Sequence, residues 1–218
     1  MDGATLQAKI YNGYAKAAQI IGLTFNLYRP LSAGSPLGNL VGTLKAALDS
    51  GPAYSFKSPN EYGDPTWFAL INDATAQTGD YLVNANGTYF IAGKQFLLPV
   101  IVVECNRSVR ISRQTMSSAV GAVGYSGTTA AGETNILGAA GNLWPASIMF
   151  GGKAQGAIGL PADSKQSGWR ILLPPSVPGG VVLTASDIVT DDIGRRYVID
   201  GAELTDLGWR INANELHT

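Results

Sequence analysis

One phrase occurs twice in this chain. In the first occurrence Trp67 opens an apolar run to Ile71, Gly79 and Asp80 lead into Tyr81, and Gly87, Tyr89, Ile91 and Gly93 follow. In the second, Trp169 opens a run to Leu173, Ser186 and Asp187 lead into Ile188, and Gly194, Tyr197, Ile199 and Gly201 follow. One gap between the Asp and the Tyr brings Trp, Asp, Gly, Tyr, Ile and Gly into the same order. Short apolar runs cornered by Asp and Gly predict strands joined by tight turns. A small β-module used twice is a building part more often than a reaction centre. The Trp and Tyr rings are expected in the cores, with the Tyr hydroxyls at their edges.

Strands are predicted at Trp67–Ile71, Tyr81–Val83, Thr88–Ala92 and Leu97–Glu104, with Asn86-Gly87 as a hairpin turn between apolar runs. The second module reads as Trp169–Leu173, Val181–Thr184, Asp187–Val189, Arg196–Ile199 and Trp209–Asn212. The expected fold is mainly β with an N-terminal α-helix. Two small antiparallel barrels or sandwiches occupy 67–113 and 167–213, possibly an internal duplication. Ser108–Arg113 alternates, and either extends the last strand of the first module or begins another. Arg107 and Arg113 share a face of that stretch and Arg110 points the other way. The three form either a local basic cluster of the kind nucleic acid would need or a solvated strand end.

The flanking segments carry the partner-seeking features. Within residues 1–30, Leu6, Ile10, Tyr14, Ala17, Ile21, Phe25 and Tyr28 recur at spacings of three and four, which predicts an amphipathic helix over 5–28. It would be roughly 36 Å long. It packs on its own β-core or joins a partner bundle. Residues 31–66 are broken by prolines and read as an ordered loop, with a short helix or turn at 37–48 where Leu40, Leu44 and Leu48 share a face. Residues 114–166 are rich in Gly and Ala yet contain Trp144 and Phe150, and read as an arm that orders against a neighbour or as a spacer. Residues 214–218 form a short tail. The interface candidates are Leu6, Ile10, Tyr14, Ile21, Phe25, Tyr28, Trp144 and Phe150.

Several kinds of chemistry find little footing. Only 14% of residues are charged, and the net charge is -1. That advertises no basic face for nucleic acid, and with the high glycine content suits either a surface hidden in an assembly or a β-rich protein with many turns. Cys105 is the only cysteine, inside an apolar run, and reads as a buried structural thiol. His217, the only histidine, lies next to the last residue, a poor place for a positioned imidazole. Gly151-Gly152-Lys153 lacks the spacing of a phosphate-binding loop. Asp187, Asp191 and Asp192, with Glu203 nearby, are the candidate carboxylate cluster. They bind Ca²⁺ through oxygen ligands, act as acid and base in glycoside hydrolysis, or cap the backbone of a hairpin. No catalytic residue and no cofactor is expected, and the chain does not read as an enzyme. Its longest apolar run, Phe96–Val103, is too short to span a membrane, and Met1 to Lys9 lack the pattern of a secretory signal.

The second phrase carries a family likeness. Thr184 through Ile199, with Asp187, Asp191, Gly194 and Tyr197 at its corners, followed by Glu203 through Arg210, resembles virion proteins of tailed bacteriophages. In particular it looks like the small β-barrel proteins that close the head and join it to the tail. Gly79 through Leu82 and Tyr89 through Ile91 fit the same pattern more loosely. The resemblance implies a structural protein of the virion neck, assembled in the host cytoplasm. It implies a homo-oligomeric ring, a hexamer or dodecamer, that contacts the portal or its adaptor and the tail-completion proteins. DNA would pass through without sequence-specific binding. A tail-tube, collar or baseplate part is the alternative within that class, and a receptor- or carbohydrate-binding module the alternative outside it. Head-joining proteins of this kind carry one barrel; the second copy, the long helix and the Gly/Ala-rich arm depart from that pattern.

Overall fold

The structure is a computed structural model that describes residues 2–51, 63–72, 75–114, 132–153 and 167–216. Helix α1 (Gly3–Ile21) begins at Asp2, whose carboxylate accepts from the Thr5 N–H at 2.8 Å, a standard N-cap. It ends at Gly22, whose N–H donates to the Ala18 carbonyl. The helix is therefore shorter than the predicted 5–28, because Leu23–Tyr28 is strand β1, with Phe25 and Leu27 pointing inward. Residues Leu40–Asp49 are strand β2 and not a short helix. Both differences have one cause. A spacing of four returns to the same face of a helix and also of a strand, so Ile21 with Phe25, or Leu40 with Leu44 and Leu48, satisfies either period.

Strands β1, β2, β3 (Thr66–Ile71), β4 (Tyr81–Asn84), β5 (Gly87–Lys94) and β6 (Val100–Cys105) close a barrel in the order β1-β2-β3-β6-β5-β4. All its ladders are antiparallel, and β4 returns to lie beside β1 as in a Greek key. A second barrel follows at once. It uses β7 (Arg107–Gln114), β8 (Glu133–Leu137), β9 (Trp144–Lys153), β10 (Ser167–Leu173), β11 (Ile188–Asp191), β12 (Arg196–Thr205) and β13 (Gly208–Glu215). Here β7-β9-β10-β13-β12-β11 closes through a β11–β7 ladder, and β8 adds to β7. The chain is thus mainly β with one N-terminal helix and two closed six-stranded barrels.

The two barrels share their registers as well as their order. Leu27 faces Leu82 across β1 and β4, as Ile111 faces Val189 across β7 and β11. Leu82 faces Tyr89, as Val189 faces Tyr197. Trp67 faces Val102, as Trp169 faces Ala213. Each barrel carries a bulge between the Ile and the Gly of its repeated phrase, at Ile91/Gly93 and at Ile199/Gly201. A second matching irregularity falls at Leu27/Tyr28 and at Ile111/Ser112. The repeat spans the whole barrel, and so exceeds the predicted modules. Residues 23–49 belong to the first barrel, and Ser108–Arg113 begins the second. Val181–Thr184, predicted as a strand, forms none. In the predicted arm, 132–153 supplies β8 and β9, so part of it is barrel wall; 115–131 and 154–166 lie outside the described residues.

Inside, matched positions trade volume. Phe25 faces Leu44 in the first barrel, where Val109 faces Trp144 in the second. Volume lost on one strand returns on its neighbour, so each interior stays filled without a change of register. The outer faces of β4, β5 and β6 bury Tyr81, Phe90, Ala92 and Val103 against the second barrel, in one continuous core with it. Tyr81 donates to the Pro145 carbonyl at 2.9 Å and meets Trp144 edge-on. Helix α1 lies across β2 and β3, with Tyr14, Ala17 and Ala18 on Ala47 and Leu70. Ala47 pairs with Leu70 as Ser147 pairs with Leu172, and at that second place the first barrel sits where the helix would be. Helix α1 therefore caps the first barrel much as the first barrel covers the second.

Candidate functional site

The repeated Asp stands at a built corner in each barrel. Asp80 and Asp187 are both 1% exposed. Arg29 donates through Nε and Nη2 to the two Asp80 oxygens at 2.8 and 2.7 Å. Arg113 does the same to Asp187 at 2.7 and 2.8 Å. Each carboxylate also accepts a backbone N–H three residues earlier, from Gln77 and Thr184, at 2.8 Å. Each guanidinium reaches a carbonyl two residues before that, Thr75 at 2.9 Å and Val182 at 2.8 Å. The bond to Asp187 pushes the Arg113 pKa further up. The residue before each Asp has positive φ, 93° at Gly79 and 72° at Ser186. Arg113, one of the three clustered arginines, is therefore a corner post held by Asp187. Arg110 is exposed and Arg107 lies 3.9 Å from Asp192.

The carboxylate candidates are drawn apart by these duties. Asp191 accepts the Ile193 and Arg195 N–H groups at 3.2 and 2.7 Å, closing the β11–β12 hairpin. Its other oxygen accepts from Arg195 Nε at 3.1 Å and from the Tyr197 hydroxyl at 3.2 Å. In the first barrel Asn84 closes the matching hairpin by accepting from the Asn86 and Gly87 N–H groups. Asp192 is solvent-facing, and Glu203 pairs with Arg210 on the surface. Among the described residues no group of three or more His, Cys, Asp or Glu side chains is placed to hold a metal ion. Burial raises the Tyr197 pKa, with the Asp191 charge acting in the same direction. Burial likewise pushes the Cys105 thiol up, and it rests near the Val103 carbonyl. His217 lies outside the described residues.

The interface candidates divide. Phe25 and Trp144 are core, 2% and 0% exposed, because both point into barrel interiors. Tyr14 is half-buried on the barrel-facing side of α1, with its hydroxyl directed at the Leu97 carbonyl, and Tyr28 is half-buried against the shared core. Ile10 is half-buried. Leu6, Ile21 and Phe150 are exposed. Phe150 stands edge-on to Trp169, which stands edge-on to Tyr197, and Arg195 lies over both of the latter rings. The sequence reading missed Ile20, the most exposed large apolar residue of α1 at 83%, and Leu23 at the start of β1. It also missed Arg29 as the partner of Asp80; the signal was its match to Arg113, visible only once β1 and β7 are aligned. Among the described residues no helix is long and apolar enough to cross a membrane. Comparison with known proteins finds no matching family model, no similar curated protein and no similar solved structure.

Proposed function

We propose that this chain is a structural subunit of a tailed-bacteriophage virion, forming an oligomeric ring at the neck between portal and tail, around the path of the DNA. The observation that carries the reading is where the chain places its polar and its apolar side chains. The buried aspartates are spent on corners and hairpins inside each barrel, while Leu6, Ile20, Ile21, Leu23, Leu31, Phe96 and Phe150 stand exposed. Among the described residues the two barrels close on themselves, only the five-residue β8 lies outside the closed order, and the apolar surface is left for defined neighbours. The sequence likeness of 184–210 to head-closure proteins supports the same assignment.

The contact between the two barrels within one chain is not the contact between subunits. Repeating it would need the β2–β3 face, which α1 covers, and the outer face of β12–β13, which carries Asp200, Asn212 and Asn214 where β5–β6 carries Ala92, Ile101 and Val103. Copies meet through other surfaces, by heterologous contacts that close a ring. Six copies would present twelve barrels, a match for a twelvefold portal above a sixfold tail. Native mass spectrometry of the assembled protein tests the ring, and a subunit count other than six excludes the sixfold form. Cryo-electron microscopy of virions labelled at the C-terminus tests the station; label at the baseplate would move the protein down the tail.

A further inference from the structure

We propose that the first barrel takes a small bicyclic arene, bearing a hydroxyl or carbonyl oxygen, in a cavity between its rim and α1. The site is independent of the ring. Gln7, Tyr11 and Tyr14 follow spacings of four and three, so they share one face of α1. All three reach the turn between β5 and β6. The Leu97 N–H donates to Gln7 Oε1 at 2.7 Å, and the Tyr11 and Tyr14 hydroxyls are directed at the Gln95 and Leu97 carbonyls, both at 3.4 Å. The helix is thereby tied over one end of the barrel, where β3 and β5 finish and β6 starts. Between helix and barrel is a cavity of about 300 Å³, with Ala15 of the helix and Ile71 and Val100 of the barrel among its apolar walls.

The second barrel shows the same place filled. Ala69 faces Val100 as Ile171 faces Ile211, and Lys94 faces Val100 as Ala202 faces Ile211. Ile71 ends its strand of the repeated phrase where Leu173 ends the other. Ile171, Leu173 and Ile211 are all 0% exposed, whereas Ile71 is only half-buried. The first barrel thus carries smaller side chains at two of these positions, at the end its helix covers. An apolar cavity of about 150 Å³ holds benzene, so twice that volume suits two fused rings. The Tyr11 and Tyr14 rings, with centroids 6.4 Å apart, offer aromatic surface on the helix side. Donors at the rim set the polar substituent. Asn72 spends its Oδ1 on the Lys45 N–H at 2.7 Å, so its amide NH₂ is the donor side. Lys94, which donates to the Ala76 carbonyl, is the one charged group of the lining among the described residues. Two donors call for an accepting oxygen on the ligand, and no carboxylate among the described residues lines the cavity to receive a cation.

Calorimetric titration of 2-naphthol into the full-length protein tests the site. Saturable binding of one molecule per chain is expected, with chemical-shift changes at the Ala15 and Ala69 methyl groups. Ala15→Phe fills the cavity from the helix side and should abolish the binding, with its circular dichroism intact. Val100→Ile, which copies the matched Ile211, should weaken it and decides the matter should Ala15→Phe not fold. Asn72→Asp keeps the acceptor for the Lys45 N–H but loses the donors, and should weaken the binding about fivefold. Absence of saturable binding up to the solubility limit of 2-naphthol overturns the site. Undiminished binding by Ala15→Phe and Val100→Ile puts the molecule elsewhere and overturns it equally. Undiminished binding by Asn72→Asp alone overturns the accepting oxygen as the recognised group.

Discussion

Asp187, on the approach to β11, is gripped at both oxygens by Arg113, which lies 74 residues earlier in the chain on β7. The carboxylate is 1% exposed and the guanidinium 44%. Removing the arginine strands a buried charge, which costs about 3–5 kcal/mol in a dry site. Half of that cost is relieved where water reaches the bridge, as it does here. Arg113→Ala should therefore lose about 2 kcal/mol in urea denaturation, and Arg29→Ala, at the more enclosed first corner, slightly more. Arg113→Lys should recover only part of the loss, since a lysine cannot grip both oxygens. A neutral Arg113→Ala would remove the corner from any account of stability.

The two corners differ in the residue before the Asp. Ser186 holds φ at 72°, a conformation that costs a non-glycine residue about 1 kcal/mol. Ser186→Gly should raise the melting temperature slightly, by relief of about 0.5 kcal/mol after glycine's extra chain entropy. Gly79→Ala should do the reverse, because its Cβ would fall 1.9 Å from Ser176 Oγ of the other barrel. Thermal melts of the pair read opposite signs at matched positions.

Alkaline pH should open the fold through its phenols. Burial raises the pKa of Tyr81 well above its usual value, and that of Tyr197 is raised chiefly by the same cause. In the unfolded chain both lose their protons near pH 10, while the folded chain keeps them to higher pH. Above about pH 10 the unfolded state binds fewer protons, so stability present below that pH is lost as pH rises. Denaturation midpoints measured between pH 8 and 11.5 should fall steeply at the alkaline end. Tyr81→Phe should start lower, by about 1 kcal/mol for the lost bond to Pro145, and fall less steeply.

Millimolar Ca²⁺ should leave the melting temperature unchanged. The Asp187 and Asp191 oxygens already accept from Arg113, Arg195, Tyr197 and backbone N–H groups. An ion would have to displace all of these. A calcium-dependent shift abolished by Asp192→Asn would revive the carboxylate cluster as a metal site.

Local chemistry wrote much of this structure into the sequence. The order Trp, Asp, Gly, Tyr, Ile and Gly marks strands and corners that the two barrels reproduce, because turns demand Asp and Gly and buried strands demand apolar residues at period two. The strands at Trp67–Ile71, Tyr81–Val83, Thr88–Ala92 and Trp169–Leu173 lie within the observed β3, β4, β5 and β10. Local pattern was silent where two periods agree, as at Ile21 with Phe25 and at Leu40 with Leu44. Only the tertiary structure decided those, by closing β1 and β2 against partners that need their inward side chains. Closure also decided that Arg29 answers Asp80 as Arg113 answers Asp187, since a charge pair across more than fifty residues leaves no local spacing to read. It decided, last, which apolar residues are core: Phe25 and Trp144 are enclosed by walls that form far away in sequence, while Ile20 lies on the side of α1 that the barrel does not reach.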